Sequence, residues 1–343
     1  MPSVEFGFAL PIFASPGLAL FRTPCYERLD VRQTMEAAVE AERLGYDALW
    51  VADHLYHGRD GEILECWTTL SVLAGLTRRV SLGPIRLNST LRHPALTAKM
   101  ASTLDQLSGG RLIFFSDIGW REVESDAYGL PFERSDEVRV VQMRDGLELI
   151  RRLWTDSGAT TYRGPYHQVT NAYCHPKPVR KPHPPIWIGE SLKPATSSLL
   201  LDVAMKYGDA WALAPTPASQ VKHKLARLEV ACTQTGRIYD TLKRAMTTQV
   251  LVAQTRQEVR ATFQHIEALG AWSEEAAPSA RRYTQQQAAE EFLIGTPDEV
   301  TDRLREYVAL GITHFIMWFL DFPSLRGLRL FAEGVMPHFT RSV

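Results

Sequence analysis

The chain is predicted to fold as a closed (β/α)8 TIM barrel, and three observations carry that expectation. Apolar runs of strand length recur along the whole sequence, and amphipathic patterns of helical period separate them. Three of these runs, DALWVADH, VSLGPIRLN and RLIFFSDIGW, end in polar, Gly-bearing turns between residues 44 and 120. No Gly-rich dinucleotide fingerprint follows the first strand, which counts against the open doubly wound alternative. Parallel strands need long crossovers, and in such folds ligands gather at the carboxyl ends of the strands. His54, the loop over residues 88–93 and the Gly119-Trp120 pair are therefore expected to converge on one site.

The elements follow in order. Residues 4–10 read as the first strand, followed by the loop SPGLALFRTP, which is long for a strand-to-helix connection and hence a candidate functional loop. A helix over 34–44, with Met35, Ala38, Val39 and Leu44 on its apolar side, stops at Gly45. Strand 48–51, helix 65–76, strand 80–87, helix 95–107 and strand 112–115 come next. Pro84 is unusual inside a parallel strand, because it cannot donate a ladder hydrogen bond. The pattern of Val140, Met143, Leu147, Ile150 and Leu153 defines a long helix over 136–154. The rhythm is then lost over roughly residues 155–185, read as an excursion. It resumes with strand 186–188, helix 194–207, strand 209–213, helix 219–235, strand 247–252 and helix 256–269. Residues 270–292 are polar and rich in Ala, Gln and Glu, and read as an inserted or mobile segment. Thr296, with Glu299 three residues on, caps the next helix; strand 314–319 and helix 324–335 complete eight units. The whole chain, 1–343, reads as a single barrel domain with those two interruptions.

Composition narrows the function classes. Hydrophobic residues make up 45% of 343 and the formal charge is -1, ample for a large core and giving no electrostatic reason to expect nucleic acid or an anionic membrane. Four scattered cysteines without CxxC spacing read as free thiols in a reducing compartment, hence a cytoplasmic location. There is no signal-peptide pattern and no apolar run long enough to span a bilayer. No HxxxH or carboxylate-histidine grouping suggests a metal, and His57, His167, His175, His183 and His314 lack a constellation.

Six segments then match a known family in order: LGYDALWVADH, RHPALTAKMASTLDQLSGGRL, GWREVESDAYGLPF, KPVRKPHPPIWIGES, YGDAW and LGITHFIMWFLDFPSLRGLRLFAEGVMP. Over nearly its whole length the chain resembles the bacterial luciferase-like flavin oxidoreductases, which include FMN-dependent monooxygenases and relatives using the deazaflavin F420. The resemblance implies a barrel whose mouth binds the isoalloxazine ring and whose later strands hold the phosphate. It places His54 where such enzymes carry a site histidine, suited by residue type to proton transfer near neutral pH; the alternative is a histidine that only hydrogen-bonds its loop. Asp53 either touches the cofactor or orients its neighbour.

Asn88 and Ser89 offer polar contacts at a strand end that supports the ring through a bulge in relatives, whereas Arg92 and His93 read as solvated. Ile118 and Gly119 fall where relatives line the ring or ribityl chain. Luciferase has a phosphate-binding arginine at the position of Ile118, so that contact is missing here or supplied elsewhere. Trp120 is a candidate for stacking on substrate, or a structural indole. Gly189, Glu190 and Ser191 open a helix whose N-terminus suits a phosphate. Ser191 is the leading ligand, Lys193 an ionic helper, and the Glu-Ser pair matches luciferase. Trp211 and Trp318 are expected to face the same mouth and line the substrate pocket.

The resemblance implies a monooxygenase that uses reduced FMN from a separate flavin reductase, together with O2, to oxygenate a small organic substrate. The alternative is an F420-dependent oxidoreductase moving hydride between the coenzyme and a small organic substrate. A third reading is a non-catalytic flavin-binding barrel. Relatives suggest a homodimer, with the loop after Leu10 and the 270–292 segment covering the substrate.

Overall fold

The computed structural model describes residues 3–17, 22–270 and 283–339. Its strands are β1 (Glu5–Ala9), β2 (Ala48–Val51), β3 (Ser81–Pro84), β4 (Leu87–Asn88), β5 (Phe114–Asp117), β6 (Thr160–Arg163), β7 (Gln168–Ala172), β8 (Ile186–Gly189), β9 (Ala210–Leu213), β10 (Lys243–Val252), β11 (Leu293–Gly295) and β12 (His314–Phe319). Nine of them run in the order β3-β2-β1-β12-β10-β9-β8-β5-β4, all parallel, with β11 attached to β10. β3 and β4 are two halves of one position, interrupted at Ile85 and Arg86, where the peptide bond is cis. The ring is drawn together between Leu82 and Leu112: Leu82 N donates to Arg111 O and Ile113 N to Leu82 O, both at 2.9 Å. The result is an eight-position α/β barrel of the TIM type.

Helices alternate with the strands: α1 (Val31–Arg43), α2 (Cys66–Leu76), α3 (Pro94–Ser108), α4 (Glu122–Ala127), α5 (Asp136–Thr155), α6 (Pro194–Tyr207), α7 (Ala218–Thr235), α8 (Arg256–Leu269), α9 (Gln285–Glu291), α10 (Pro297–Ala309) and α11 (Arg326–Gly334). Their starts follow local chemistry. Asp30 caps α1, accepting from Arg32 N and Gln33 N, so this helix begins three residues before the expected start; its buried face is Thr34, Ala37, Ala38 and Ala41, and Val39 is exposed. Thr296 and Glu299 form the expected capping box of α10. Of the 270–292 segment, residues 271–282 lie outside the described residues, and the rest supplies α9. β11, which follows, was not expected. The 155–185 excursion contains the antiparallel hairpin β6/β7.

Period-2 alternation divides the apolar residues into two layers. Phe6, Phe8, Leu49, Val51, Ile186, Ile188, Trp211, Leu213, Phe315 and Met317 point outward against the helices. Ala9, Ala48, Trp50, Phe115, Trp187, Ala210, Ala212, Ala245, Ile316 and Trp318 fill the interior. Trp50 is fully buried there because Gly83 on the adjacent strand has no Cβ; one would stand 2.6 Å from the indole. Trp211 is thus corrected: its neighbours Ala210 and Ala212 face inward, so its own side chain belongs to the barrel–helix layer and not to the mouth.

The amino end of the barrel is closed by a charged cluster. Glu5 accepts from His314 Nδ1 at 2.8 Å and from Lys243 Nζ at 2.7 Å, and the His314 ring meets Trp187 and Trp50 edge-on. Burial alone would raise the Glu5 carboxyl, but His314 and Lys243 outweigh it and hold the group down at about 2. A carboxylate depressed in the folded state contributes stability that is complete above its ordinary value of 4.5 and fades as pH falls through about 2. We expect the wild type to lose stability faster than Glu5→Gln between those limits. Unfolding midpoints measured across that window would show parallel curves if Glu5 made no such contribution.

Candidate functional site

The carboxyl ends of the strands bring His54, Asn88, Gly119, Trp120, Gly189 and Trp318 to one end of the barrel, where ligands of this fold class bind. His54 directly follows β2 and is buried. Its Nδ1 lies 3.1 Å from Glu124 Oε2, its ring stacks on His57 at 5.1 Å and meets Trp120 edge-on at 5.7 Å. Glu124, on the short helix α4, is fully buried; its other oxygen accepts from Leu55 N and from Tyr56 N at 3.2 Å. Desolvation opposes the charge on Glu124, but the contacts to His54 and to these two backbone N–H groups hold its carboxyl below the usual range. An ionised Glu124 accepts the Nδ1 proton and leaves His54 Nε2 as the ring's basic nitrogen. Beside it, burial first, and then the charges of His54, Arg22 and Arg121, push His57 down to about 2. His57 is therefore a neutral ring near pH 7, and Arg121 Nη1 lies 3.2 Å from its Nδ1. Glu124 and Arg121 went unrecognised in the sequence; GWREVESDAYGLPF was matched without either being assigned a role.

Asp53 does not reach toward a ligand. Both of its oxygens are held by Arg92 at 2.9 Å, and Oδ2 also accepts from Asn88 N at 2.9 Å. Arg92 also pairs with Glu65 at 2.9 Å, so it is a half-buried strut and not a solvated residue. Asp53 thus fixes the loop that carries Asn88. The Asn88 side chain accepts from Thr90 and occupies the space that a Cβ on Gly119, at φ +73, would need. Ser89 continues the ladder by donating to Asp117 O and lines a cavity outside the barrel wall. Ile118 points into the barrel–helix layer, which removes it from the mouth.

The phosphate end also differs in detail from expectation. Glu190 is buried, its carboxylate paired with Lys224 Nζ at 2.6 Å and accepting from Ala214 N at 2.8 Å. Ser191 Oγ accepts from Lys193 N at 3.2 Å, while Lys193 Nζ is tied to Asp136 at 2.9 Å. Asp136 also accepts from Thr196, so a carboxylate of α5 already serves the start of α6. Besides Arg121, the described residues place Arg86 and Arg22 in the mouth as cations. Arg86, at the strand interruption, pairs with Asp117 at 2.8 Å and donates to Glu190 O at 2.9 Å. Gly189 makes room for it, since a Cβ there would stand 2.7 Å from Arg86 Nη1. Arg22, in the loop after β1, donates its N–H to Gln249 and lies 4.9 Å over the Trp318 ring. Burial, and then the charge of Arg86, lower it to about 10. Two guanidiniums close enough to repel fit an anionic, phosphate-bearing ligand.

Residues 18–21 of the proposed covering loop lie outside the described residues. Its described end, Gly17, packs directly on the backbone of Gly270, bringing it beside the start of the second candidate cover.

Comparison with known proteins agrees with this architecture. The chain is 25% identical over 329 residues to an F420-dependent glucose-6-phosphate dehydrogenase of Microbacterium testaceum (strain StLB037), covering 92% of this chain and 95% of that protein. Among solved structures, an F420-dependent secondary alcohol dehydrogenase in complex with an F420-acetone adduct superposes with a TM-score of 0.78 at 20% identity, covering 99% and 100% of the two chains. A long-chain alkane monooxygenase does so with a TM-score of 0.79 at 17% identity, covering 100% and 93%. At those identities the two structures attest the fold. The family profile of luciferase-like monooxygenases matches residues 4–314, so the chain belongs to the luciferase-like monooxygenase family of oxidoreductases.

Proposed function

We propose that this protein is an F420-dependent oxidoreductase that moves hydride between the coenzyme and a small organic substrate. The observation that carries this reading is the end-to-end similarity to an F420-dependent dehydrogenase. It shifts the balance from the FMN monooxygenase toward the F420 alternative drawn from the sequence. When bound, coenzyme F420 supplies the hydride chemistry at C5 of its deazaflavin. The protein supplies position, shielding and proton transfer.

Arg86 and Arg22 would hold the acidic part of the cofactor, with Gly189 making room for the Arg86 guanidinium and Gly119 for the Asn88 side chain. His54 handles the proton. With Nδ1 engaged by Glu124, its Nε2 takes the hydroxyl proton as a substrate carbon is oxidised, and returns it in the reverse direction. Glu124 fixes the tautomer and stabilises the charged ring. Trp120 and Trp318 remain as candidate substrate walls.

The reading is tested by adding small alcohols and sugar phosphates to protein and oxidised F420 without oxygen. Loss of the deazaflavin absorbance that depends on substrate supports it; no loss with any substrate, alongside oxygen consumption with reduced FMN, rejects it. Arg86→Gln is expected to weaken cofactor binding by roughly tenfold or more, as for loss of a charge-assisted contact. Fluorescence titration checks this, and unchanged affinity would move the anion site elsewhere. The FMN monooxygenase remains the second reading, supported by the Glu190-Ser191 pair shared with luciferase; it requires O2 and a separate reductase.

A further inference from the structure

A cavity of about 520 Å³ lies beside the barrel mouth, enclosed by the outer side of β4 and β5 and by α3 and α5. It is lined by outward-facing Phe114, with Met143, Leu147 and Ile150 of α5 and Phe132 above. None of His54, Glu124, Arg86 or Trp318 borders it. Its volume is within the range of small-molecule sites. Gly146, in the middle of α5, helps keep it open: a Cβ there would make only ordinary contacts, 3.4 Å to Pro94 and 3.7 Å to His167. The position thus tolerates alanine sterically, yet holds a residue that costs a helix about 1 kcal/mol.

Two histidines line this cavity with their ring centroids 5.6 Å apart, and the surrounding bonds fix what each presents. His93 Nδ1 accepts from Ala95 N at 3.2 Å. That nitrogen carries no proton, so the neutral ring has its hydrogen on Nε2 and is a donor. Burial, and then the neighbouring His167, lower the His93 pKa and favour that neutral form. His167 is the reverse. Its Nδ1 lies 2.9 Å from Asp145 Oδ2. Asp145 is a buried carboxylate that also accepts from Tyr162 Oη and from the backbone of Tyr166 and His167, contacts that hold its pKa down despite desolvation. Asp145 therefore accepts a hydrogen bond from the Nδ1 proton, and in the neutral form of such an imidazole Nε2 is the acceptor. Among the described residues neither Nε2 has a hydrogen-bond partner.

We propose that this cavity is a second ligand site for a neutral, mostly apolar molecule bearing one hydroxyl, of the phenol class, whose oxygen accepts from His93 Nε2 and donates to His167 Nε2. A hydroxyl satisfies both rings at once. A carboxylate would face the bare nitrogen with a second acceptor, and an ammonium offers His93 no lone pair. The aromatic and aliphatic walls take the body of the ligand.

The test titrates the full-length protein, with its histidines labelled with ¹⁵N, with phenol, anisole and toluene, reading the imidazole nitrogen shifts. Expected is a saturable change at Nε2 of both His93 and His167 with phenol. Anisole, which cannot donate, and toluene should bind roughly tenfold or more weakly, the usual scale of one hydrogen bond. His167→Phe keeps the ring volume and leaves Asp145 three other donors, and should weaken phenol by a similar factor. Phenol and toluene binding alike, or phenol binding that leaves both histidine signals unmoved, overturns the proposal; so does undiminished phenol affinity in His167→Phe.

Discussion

His54→Ala is expected to lower turnover by at least about a hundredfold while leaving the fold and cofactor affinity intact. Positioned acid-base groups contribute roughly 10²–10⁴-fold, and Glu124 sets the tautomer of this ring in the mouth. The residue touches Glu124, His57 and Trp120, none of which depends on it for a strand or helix contact, so the loss should fall on turnover and its pH profile. Single-turnover kinetics with bound cofactor decide the matter. A variant with wild-type turnover would remove His54 from the chemistry.

Asp53→Ala should produce the largest loss of stability, about 3–5 kcal/mol, because it leaves the mostly buried Arg92 guanidinium without its principal counter-charge. It also removes the acceptor of Asn88 N. Urea denaturation measures the cost, and replacing both partners with apolar residues of similar volume should recover most of it. A loss below about 1 kcal/mol would mean that the pair is no more than a surface bridge. Cofactor binding should suffer as well, since this pair anchors the loop between β4 and α3.

What the sequence could show depended on whether a role was local. His54 was legible because it directly follows a strand whose apolar run is unmistakable, and the capping box of α10 because its two residues are three apart. Glu124 was not, because it lies 70 residues from its partner on a helix of only 6 residues, too short for a periodic signal. Arg86 was missed for another reason. The strand is interrupted at that residue, so inward and outward alternation cannot be counted through it, and a polar side chain inside an apolar run read as part of the strand.

Trp211 shows how sharp parity is. Assigning it to the mouth because it lies near a strand end ignored that its alanine neighbours occupy the interior. The hairpin β6/β7 left no trace because its residues are largely exposed and only Tyr162, Val169 and Ala172 pack against the core. Asp53 is a lesson about partners. A carboxylate beside a site histidine suggested a cofactor contact, but its two oxygens are taken up by an arginine 39 residues away.

The most direct test is a parallel anaerobic titration of the protein with reduced F420 and reduced FMN, followed by admission of oxygen to each complex. Tight, selective binding of F420, with a complex that oxygen does not rapidly discharge, is the expected result. Selective binding of reduced FMN with rapid oxygen consumption would contradict it and make the protein an oxygen-using flavin enzyme.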